Sequence, residues 1–312
     1  MKTVALIIPC YNEADVLAML HAELDRVCKP LNGFDLEFVF VNDGSKDETL
    51  NIIKGFAASD KRCKFISFSR NFGKEAAMLA GMQYAVHADY IGIIDADLQH
   101  SPDLIPEMLF ACDREGYDVA AARRSDREGE EKLKSALSGT FYKVINAVSE
   151  ININDSAQDF RIMKQKVVRS ILSMPERIRF SKGIFTWVGF NTKWFSHENR
   201  ERAAGETKWS IRKLAKYAID GILGYTSSPL RIALWLGILF CLVGVGIALY
   251  ALIRKFACDE LLMESFVMLY GVLFGLVGVV LAVIGILGEY LARVYTEIKG
   301  RPVYIISETN TQ

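Results

Sequence analysis

The chain has 312 residues with 37 acidic and 37 basic side chains, and its hydrophobic content of 51% is high for a soluble domain. Balanced charge excludes a general affinity for nucleic acid, so an anionic partner must be bound by local basic clusters. The four histidines are scattered and give no zinc-binding pattern, and the six cysteines include no C-x-x-C pair. We therefore expect reduced thiols in a cytosolic compartment.

Short β-branched runs alternate with amphipathic stretches through the first third of the chain, which predicts an α/β fold with a mostly parallel sheet. The predicted strands are residues 3–9, 36–41, 64–68, 90–94 and 118–122. The predicted helices are residues 14–27, 46–58, 75–86 and 102–115, the second with a capping box of Ser45 and Glu48. Ligands of parallel sheets bind at the carboxyl ends of the strands. Here these ends carry PCYNE, VNDGS, SRNFGK and DADLQ.

The next hundred residues give a weaker pattern. A charged run at 123–134 predicts a mobile loop over the rim, and 137–148 predicts a helix. An irregular segment is expected at NDSAQDFR, followed by a strand at 190–195, which completes a large domain of residues 1–207. Within the region 208–229, residues 209–225 have basic and apolar faces at helical spacing, which predicts a helix lying in the lipid headgroup region.

Two apolar stretches without a charged residue, 232–253 and 266–287, are each long enough to cross about 30 Å of hydrocarbon. They predict a transmembrane hairpin within residues 230–290; two buried helices of a soluble core are the alternative. Lys and Arg number seven between residues 200 and 231 and three between 293 and 301, against two in the link. This bias places the large domain, the tail 291–312 and both termini in the cytoplasm.

Asp95 and Asp97 end the fourth predicted strand, and residues two apart in extended backbone point to the same side. Together with Gln99 they offer hard oxygen ligands, which suit Mg²⁺ or Mn²⁺. The alternative is that they only end a strand and solvate a turn. Asp43 ends the second strand, where a carboxylate can bind a base or a ribose, or belong to a plain turn.

The ordered motifs IIPCYNE, VNDGS, RNFGK, DADLQ, QDFR and RAAGETKW resemble the family 2 inverting glycosyltransferases of the GT-A (Rossmann-like) fold. The resemblance covers nearly the whole chain, including the GRPVYII tail. It is strongest to the polyprenyl-phosphate branch, which contains bactoprenol glucosyltransferases and dolichyl-phosphate mannose synthases. It implies hexose transfer from a nucleotide sugar to a polyprenyl phosphate such as undecaprenyl phosphate at the inner (plasma) membrane.

The same resemblance bears on the donor and on assembly. RSDR, MPERIRFSKGIFTWVGF and GETKW look most like the bactoprenol glucosyltransferases that feed O-antigen or wall-polymer glucosylation. UDP-glucose is therefore favoured, ahead of UDP-N-acetylglucosamine and GDP-mannose. A homo-oligomer is a further expectation, and glycines at Gly271, Gly275 and Gly278 would let helices approach closely.

The resemblance also implies roles for individual residues. Asp95, Asp97 and Gln99 would hold the metal, and Asp159 and Arg161 in QDFR would be catalytic. The donor would be bound by Pro9, Tyr11, Asn12, Glu13, Asp43, Gly44, Ser45, Lys74, Asp95 and Ala96. Because an anionic lipid must approach an anionic donor, cations are needed around the acceptor phosphate. The candidates are Arg123, Arg127, Lys132, Arg202 and Lys208, although charged runs are often only solvated loops.

The role of Asp159 stays open at this stage. A phosphate monoester with a second pKa of about 6 is mostly dianionic at neutral pH and needs little deprotonation. Asp159 is therefore either a base or a group that orients the acceptor and stabilises positive charge at the anomeric carbon. A processive polysaccharide synthase would carry a Q-x-x-R-W motif and more membrane helices, and this sequence has neither. A nicotinamide enzyme would carry a G-x-G-x-x-G motif after the first strand, which is also missing here. A non-catalytic membrane adaptor is the alternative from another class.

Overall fold

The computed structural model describes residues 1–124, 157–197, 228–257 and 263–311. The strands are β1 Lys2–Cys10, β2 Phe34–Asn42, β3 Cys63–Phe68, β4 Tyr90–Ile93, β5 Val119–Arg124, β6 Ala157–Lys164, β7 Thr192–His197 and β8 Ile306–Thr309. The helices are α1 Ala14–Cys28, α2 Thr49–Ser59, α3 Lys74–Ala85, α4 Ile105–Asp113, α5 Gln165–Leu172, α6 Ser181–Trp187, α7 Ser228–Ala257 and α8 Met263–Ile298, with a 3-10 turn at Pro102–Leu104. The chain divides into two compact units, one containing the sheet and the other α7 and α8.

The eight strands form one sheet in the order β7-β5-β6-β4-β1-β2-β3-β8. All strands except β6 and β8 run in the same direction, so the predicted mostly parallel α/β sheet is confirmed. In β1 the run from Val4 to Ile8 is fully buried, as expected for a parallel strand that helices cover on both faces. The carboxyl ends of β1, β2, β3 and β4 therefore meet at one rim.

Helix α3 is held close to the sheet by Gly81. A Cβ atom at Gly81 would lie 2.3 Å from the Ile7 Cγ2 atom of β1, so no larger residue fits without a shift. The helix begins at Lys74, directly after Gly73, whose φ of 100° suits glycine. This close packing fixes the amino end of α3 over the rim.

Two local predictions were wrong. The capping box does not form, because α2 begins only at Thr49 and the Ser45 hydroxyl instead accepts a hydrogen bond from the Asn12 N–H (2.9 Å). The segment QDFR is not irregular; it belongs to β6, which runs antiparallel between β4 and β5. Phe160 and Ile162 enter the core from one face of β6, so polar residues are left for the other face.

The end of the chain is also more ordered than a simple tail. Strand β8 pairs antiparallel with β3, and the Asn310 side chain accepts a hydrogen bond from the Phe65 N–H (2.6 Å). The ring of Tyr304 stacks on Phe68 with 4.8 Å between centroids, and its hydroxyl donates to Gln83. The last residues therefore cover the β3 edge, which would otherwise expose unpaired backbone groups.

The second unit contains the two long helices α7 and α8, which pack against each other. Within the part of the chain that the structure describes, one stretch, Gly275–Ile298, is long and apolar enough to cross a membrane, with a mean hydropathy of 2.1. In α7 the apolar stretch at 232–244 is shorter, so the second span of the predicted hairpin is not confirmed. Many apolar side chains of both helices are exposed, among them Trp235, Leu242 and Leu281.

Several predicted features lie outside the described residues. They are the helix at 137–148, the headgroup helix at 209–225, and the charged run at 123–134 beyond Arg124.

Candidate active site

The loops that follow β1 and β2 are tied to each other through backbone and side-chain hydrogen bonds. The Asn12 side chain accepts from the Lys46 N–H (2.8 Å), and the Glu13 N–H donates to the Thr49 hydroxyl (2.8 Å). Asn12 itself adopts a φ of 53°, a conformation that is uncommon for residues other than glycine. These contacts give the predicted donor-binding residues of both loops a shared, fixed backbone.

Asp43 connects these loops to the start of α3. Its two carboxylate oxygens accept hydrogen bonds from the Phe72 N–H (2.6 Å) and the Gly73 N–H (2.9 Å). Burial raises the pKa of Asp43, and the two N–H groups oppose part of that rise. Carboxylate oxygens have further lone pairs, so Asp43 can still accept a hydrogen bond from a ribose hydroxyl or from a base N–H.

Gly44 brings the β2 and β3 loops into direct contact. A Cβ atom at this position would lie 2.3 Å from the Arg70 carbonyl carbon, and the φ of 63° also favours glycine. The backbone of the predicted donor loop therefore rests on the backbone of the SRNFGK loop.

Lys74 lies between two carboxylates from different strands. Its Nζ atom is 2.6 Å from Asp95 Oδ1 and 2.5 Å from Asp159 Oδ2. The register explains the meeting, because Ile93 of β4 pairs with Arg161 of the antiparallel β6, which brings Asp95 beside Asp159. The His100 Nε2 atom lies 3.5 Å from the other Asp95 oxygen. Asp43 also lies close to this group, because the Gly73 N–H that it binds directly precedes Lys74. Residues of the motifs VNDGS, RNFGK, DADLQ and QDFR therefore converge here.

Lys74, Asp95 and Asp159 shift one another's pKa values. Burial acts to lower the pKa of Lys74, but the adjacent Asp159 and Asp95 carboxylates outweigh it and raise that pKa. Burial acts to raise the pKa values of Asp95 and Asp159, and the Lys74 ammonium outweighs it and lowers both. All three groups are therefore charged at neutral pH.

The other two proposed metal ligands follow in a tight turn. Asp97 Oδ1 accepts a hydrogen bond from the Gln99 N–H (3.1 Å), and Leu98 between them has a φ of 56°. Among the described residues, a group of three His, Cys or acidic side chains with metal-ligand spacing occurs at His21, Asp60 and Cys63, near the amino end of β3. That group is separate from the rim. At the rim, Asp95 and Asp97 would supply two ligands to a metal, and Gln99, water or substrate oxygens would supply the others.

Arg161 lies beneath the rim instead of on it. Its side chain is buried, with the guanidinium carbon 3.6 Å from the centre of the Phe185 ring. It donates to the Gln158 carbonyl (2.6 Å) and the Asp159 carbonyl (3.2 Å), and burial lowers its pKa to about 10. These contacts fix the backbone at the start of β6, where Asp159 lies. The predicted catalytic role of Arg161 stays a prediction.

Glu75, the neighbour of Lys74, was not among the predicted site residues. Its carboxylate accepts hydrogen bonds from the Ser181 N–H (3.1 and 3.2 Å) and from the Ser181 hydroxyl, which joins α3 to α6. Burial raises the pKa of Glu75 to about 6. Its place directly after the RNFGK motif was the available signal.

The remaining predicted site residues are not part of the Lys74, Asp95 and Asp159 group. Pro9 pairs with Val41 inside the sheet, Ala96 is buried, and Tyr11 is half-buried. Arg123 lies on β5 across from Ala157, and its Nε atom donates to the Ser196 hydroxyl (2.9 Å). The other candidates for the lipid phosphate lie outside the described residues: Arg127, Lys132, Arg202 and Lys208.

Comparison with known sequences identifies the protein family of this chain. The profile described as "Glycosyl transferase family 2" matches residues 5–172, a range that contains Asp43, Lys74, Asp95 and Asp159. The chain belongs to glycosyl transferase family 2. The protein is therefore a glycosyltransferase with a GT-A fold, as the sequence motifs predicted.

Relatives match along almost the entire chain. CsbB of Bacillus subtilis, named only as a glycosyltransferase, is 40% identical over 307 residues, covering 98% of this chain and 92% of its own. A prophage bactoprenol glucosyl transferase homolog of Escherichia coli is 37% identical, covering 97% and 98%. Glucosyl-3-phosphoglycerate synthase of Mycobacterium tuberculosis, solved with Mn²⁺ and UDP-glucose, is 15% identical with a TM-score of 0.48, covering 71% and 78%. That structural likeness is too low for a comparison of individual site residues.

Proposed function

We propose that this glycosyltransferase transfers glucose from UDP-glucose to a polyprenyl phosphate, undecaprenyl phosphate in bacteria, with inversion at the anomeric carbon. The observation that carries the proposal is the meeting of Asp95 and Asp159 on Lys74, one residue from the Gly73 N–H that binds Asp43. A donor held at Asp43 and Asp95 would present its sugar next to Asp159. The name of the Escherichia coli relative supports glucose and a polyprenyl carrier.

The same residues fit a divalent cation. Asp95 already binds a cation, the Lys74 ammonium, at 2.6 Å, and the donor set of Asp95, Asp97 and Gln99 consists of hard oxygens that suit Mg²⁺ or Mn²⁺. When bound, such an ion would neutralise charge that develops on the departing nucleotide diphosphate. The protein's part is to orient the donor and to hold the two carboxylates at fixed positions.

Asp159 is better suited to stabilising positive charge at the anomeric carbon than to removing a proton. The Lys74 ammonium lowers its pKa, which makes the carboxylate a weak base. The acceptor phosphate is mostly dianionic at neutral pH and is already nucleophilic. A fixed carboxylate beside the anomeric carbon can instead stabilise the positive charge of an oxocarbenium-like transition state. Arg161 would act by holding the strand end of Asp159.

The lipid acceptor requires a membrane, and the chain connectivity supports a two-span anchor. Strand β8 pairs with β3, so the chain leaves the sheet unit before α7 and returns to it after α8. A chain that leaves and rejoins one side of a bilayer crosses it an even number of times. A span at Gly275–Ile298 therefore calls for a second one, and α7 is long enough at about 1.5 Å per residue. We place the sheet unit and both termini in the cytoplasm.

The test is transfer by the detergent-solubilised protein with undecaprenyl phosphate and labelled UDP-glucose, UDP-N-acetylglucosamine or GDP-mannose. We expect a lipid-linked product from UDP-glucose, and loss of that product in Asp97→Asn. Asp35→Asn is the matched control, because Asp35 is an exposed carboxylate on β2 away from the rim. Equal activity of Asp97→Asn and the wild type would remove the metal role of Asp97, and turnover of GDP-mannose alone would overturn the donor.

A further inference from the structure

Lys74 places a positive charge between the two carboxylates at the centre of the candidate site. Its ammonium is within 2.6 Å of one oxygen of Asp95 and one of Asp159, the two carboxylates that the proposed reaction needs most. Lys74 is the first residue of α3, so its backbone is held by the helix. Its side chain is 36% exposed and can still move.

The charge balance explains why this ammonium is needed. Two carboxylates on neighbouring strands repel each other strongly when both are shielded from water. One ammonium between them leaves a single net negative charge, and His100 provides another polar contact to Asp95 at 3.5 Å. Without Lys74, the two carboxylates would need another cation between them.

A divalent ion on Asp95 would come close to this ammonium. Two cations that share one carboxylate lie only a few ångströms apart and repel each other, since their interaction is hardly screened in a partly buried site. Lys74 has a second partner in Asp159, so it can leave Asp95 and stay bound. The lysine side chain is flexible enough for that change.

We propose that Lys74 is an exchangeable counter-cation, which competes with a divalent metal ion for Asp95 and moves fully to Asp159 when the metal binds. The inference rests on the proposed function, in which Asp95 holds the metal. Lys74 then keeps the metal affinity low until the diphosphate of the donor adds its own oxygen ligands. In this way it makes metal binding depend on the donor, and it positions Asp159 in both states.

The experiment measures Mn²⁺ binding to the full-length, detergent-solubilised protein without nucleotide, by the electron paramagnetic resonance signal of free Mn²⁺. Lys74→Met removes the charge at nearly constant length, and Lys74→Gln serves as a second neutral variant in case the first does not fold. Lys74→Arg retains the charge. Lys166→Met is the matched control, because this exposed lysine pairs with Asp118 and not with the site.

We expect Lys74→Met and Lys74→Gln to lower the dissociation constant for Mn²⁺ by about tenfold or more, which corresponds to removing one close like charge. Lys74→Arg and Lys166→Met should stay near the wild type. Adding Asp95→Asn to Lys74→Met should abolish the gain, since the ion binds at Asp95. Unchanged or weaker binding in both neutral variants would overturn the proposal, as would a gain that survives Asp95→Asn.

Turnover in the same preparations separates this inference from the proposed function. Transfer from UDP-glucose by the wild type, without a change of Mn²⁺ affinity in the neutral variants, would remove only the counter-cation role. The affinity gain without transfer from any donor would retain that role and remove the proposed reaction. Failure of both measurements would overturn both.

Discussion

Asp43 and Asp95 both follow parallel strands of one sheet, but their carboxylates are held in different ways. Asp43 is bound by two backbone N–H groups, which belong to a loop that is itself packed on Gly44. Asp95 is bound by the side chain of Lys74, which it shares with Asp159. The part of the rim around Asp43, called the donor side below, is thus held by backbone groups. The part that contains Lys74, Asp95 and Asp159, called the carboxylate side, is held by charged side chains.

This difference has consequences for function. Backbone hydrogen bonds keep their geometry when the net charge of a site changes, whereas a lysine can exchange partners. We therefore expect the donor side to act as a fixed platform for the nucleotide. The carboxylate side is expected to respond to metal, acceptor and pH.

The strongest way to break the comparison is Asp159→Asn. The substitution removes one of the two charges that meet on Lys74 and leaves the donor side intact. We expect the transfer rate to fall by roughly 10²–10³, the usual cost of losing one preorganised electrostatic group. Binding of UDP without added metal, measured by calorimetry, should remain close to the wild-type value. Transfer at a near-normal rate would exclude Asp159 from the reaction, and a parallel loss of UDP affinity would show that the two sides are not separate.

Gly44→Ala attacks the donor side instead. The new methyl group would meet the Arg70 backbone, and the positive φ adds strain, so we expect a destabilisation of about 1–3 kcal/mol. We also expect a severalfold higher KM for the nucleotide sugar, while Mn²⁺ binding without nucleotide stays unchanged.

Gly33→Ala is the matched control for this variant. Gly33 has a φ of 97°, but a Cβ atom there meets nothing within 4 Å. It should therefore show backbone strain in thermal unfolding and no change in KM. Equal effects of the two variants on KM would mean that the contact between Gly44 and Arg70 is irrelevant to donor binding.

The sequence predicted the donor side better than its surroundings. Strand ends in a parallel sheet must meet at one rim, and this general rule was enough to bring Asp43, Lys74 and Asp95 together. The capping box failed because it was a local rule, whereas the Ser45 hydroxyl has a partner in the preceding loop, at Asn12. Non-local partners of this kind are not encoded in the spacing of a motif.

Strands β6 and β8 were missed for a related reason. In β6 the alternation of Asp159, Phe160 and Arg161 is that of a half-buried strand, but its polar face carries function and resembles a loop in composition. Strand β8 has only four residues, and it pairs with β3 across more than two hundred residues. Short strands whose stability depends on distant partners cannot be inferred from local preference alone.

The smallest expected effect concerns the pH response of the carboxylate side, through Glu75. Burial raises the pKa of Glu75 from 4.5 to about 6, so the folded state binds a proton more tightly than the unfolded chain. Its contribution to stability is fully present below pH 4.5 and is lost as the pH rises through about 6. The change corresponds to about 2 kcal/mol between the two limits.

Glu75→Gln should remove this dependence, because an amide does not titrate. We expect the wild type to lose stability relative to Glu75→Gln between pH 4.5 and 7, as measured by thermal unfolding in detergent. A constant offset from altered hydrogen bonds to Ser181 cancels in that difference. Asp35→Asn controls for the change in net charge. A difference between the wild type and Glu75→Gln that is the same at every pH would show that burial does not raise the pKa of Glu75.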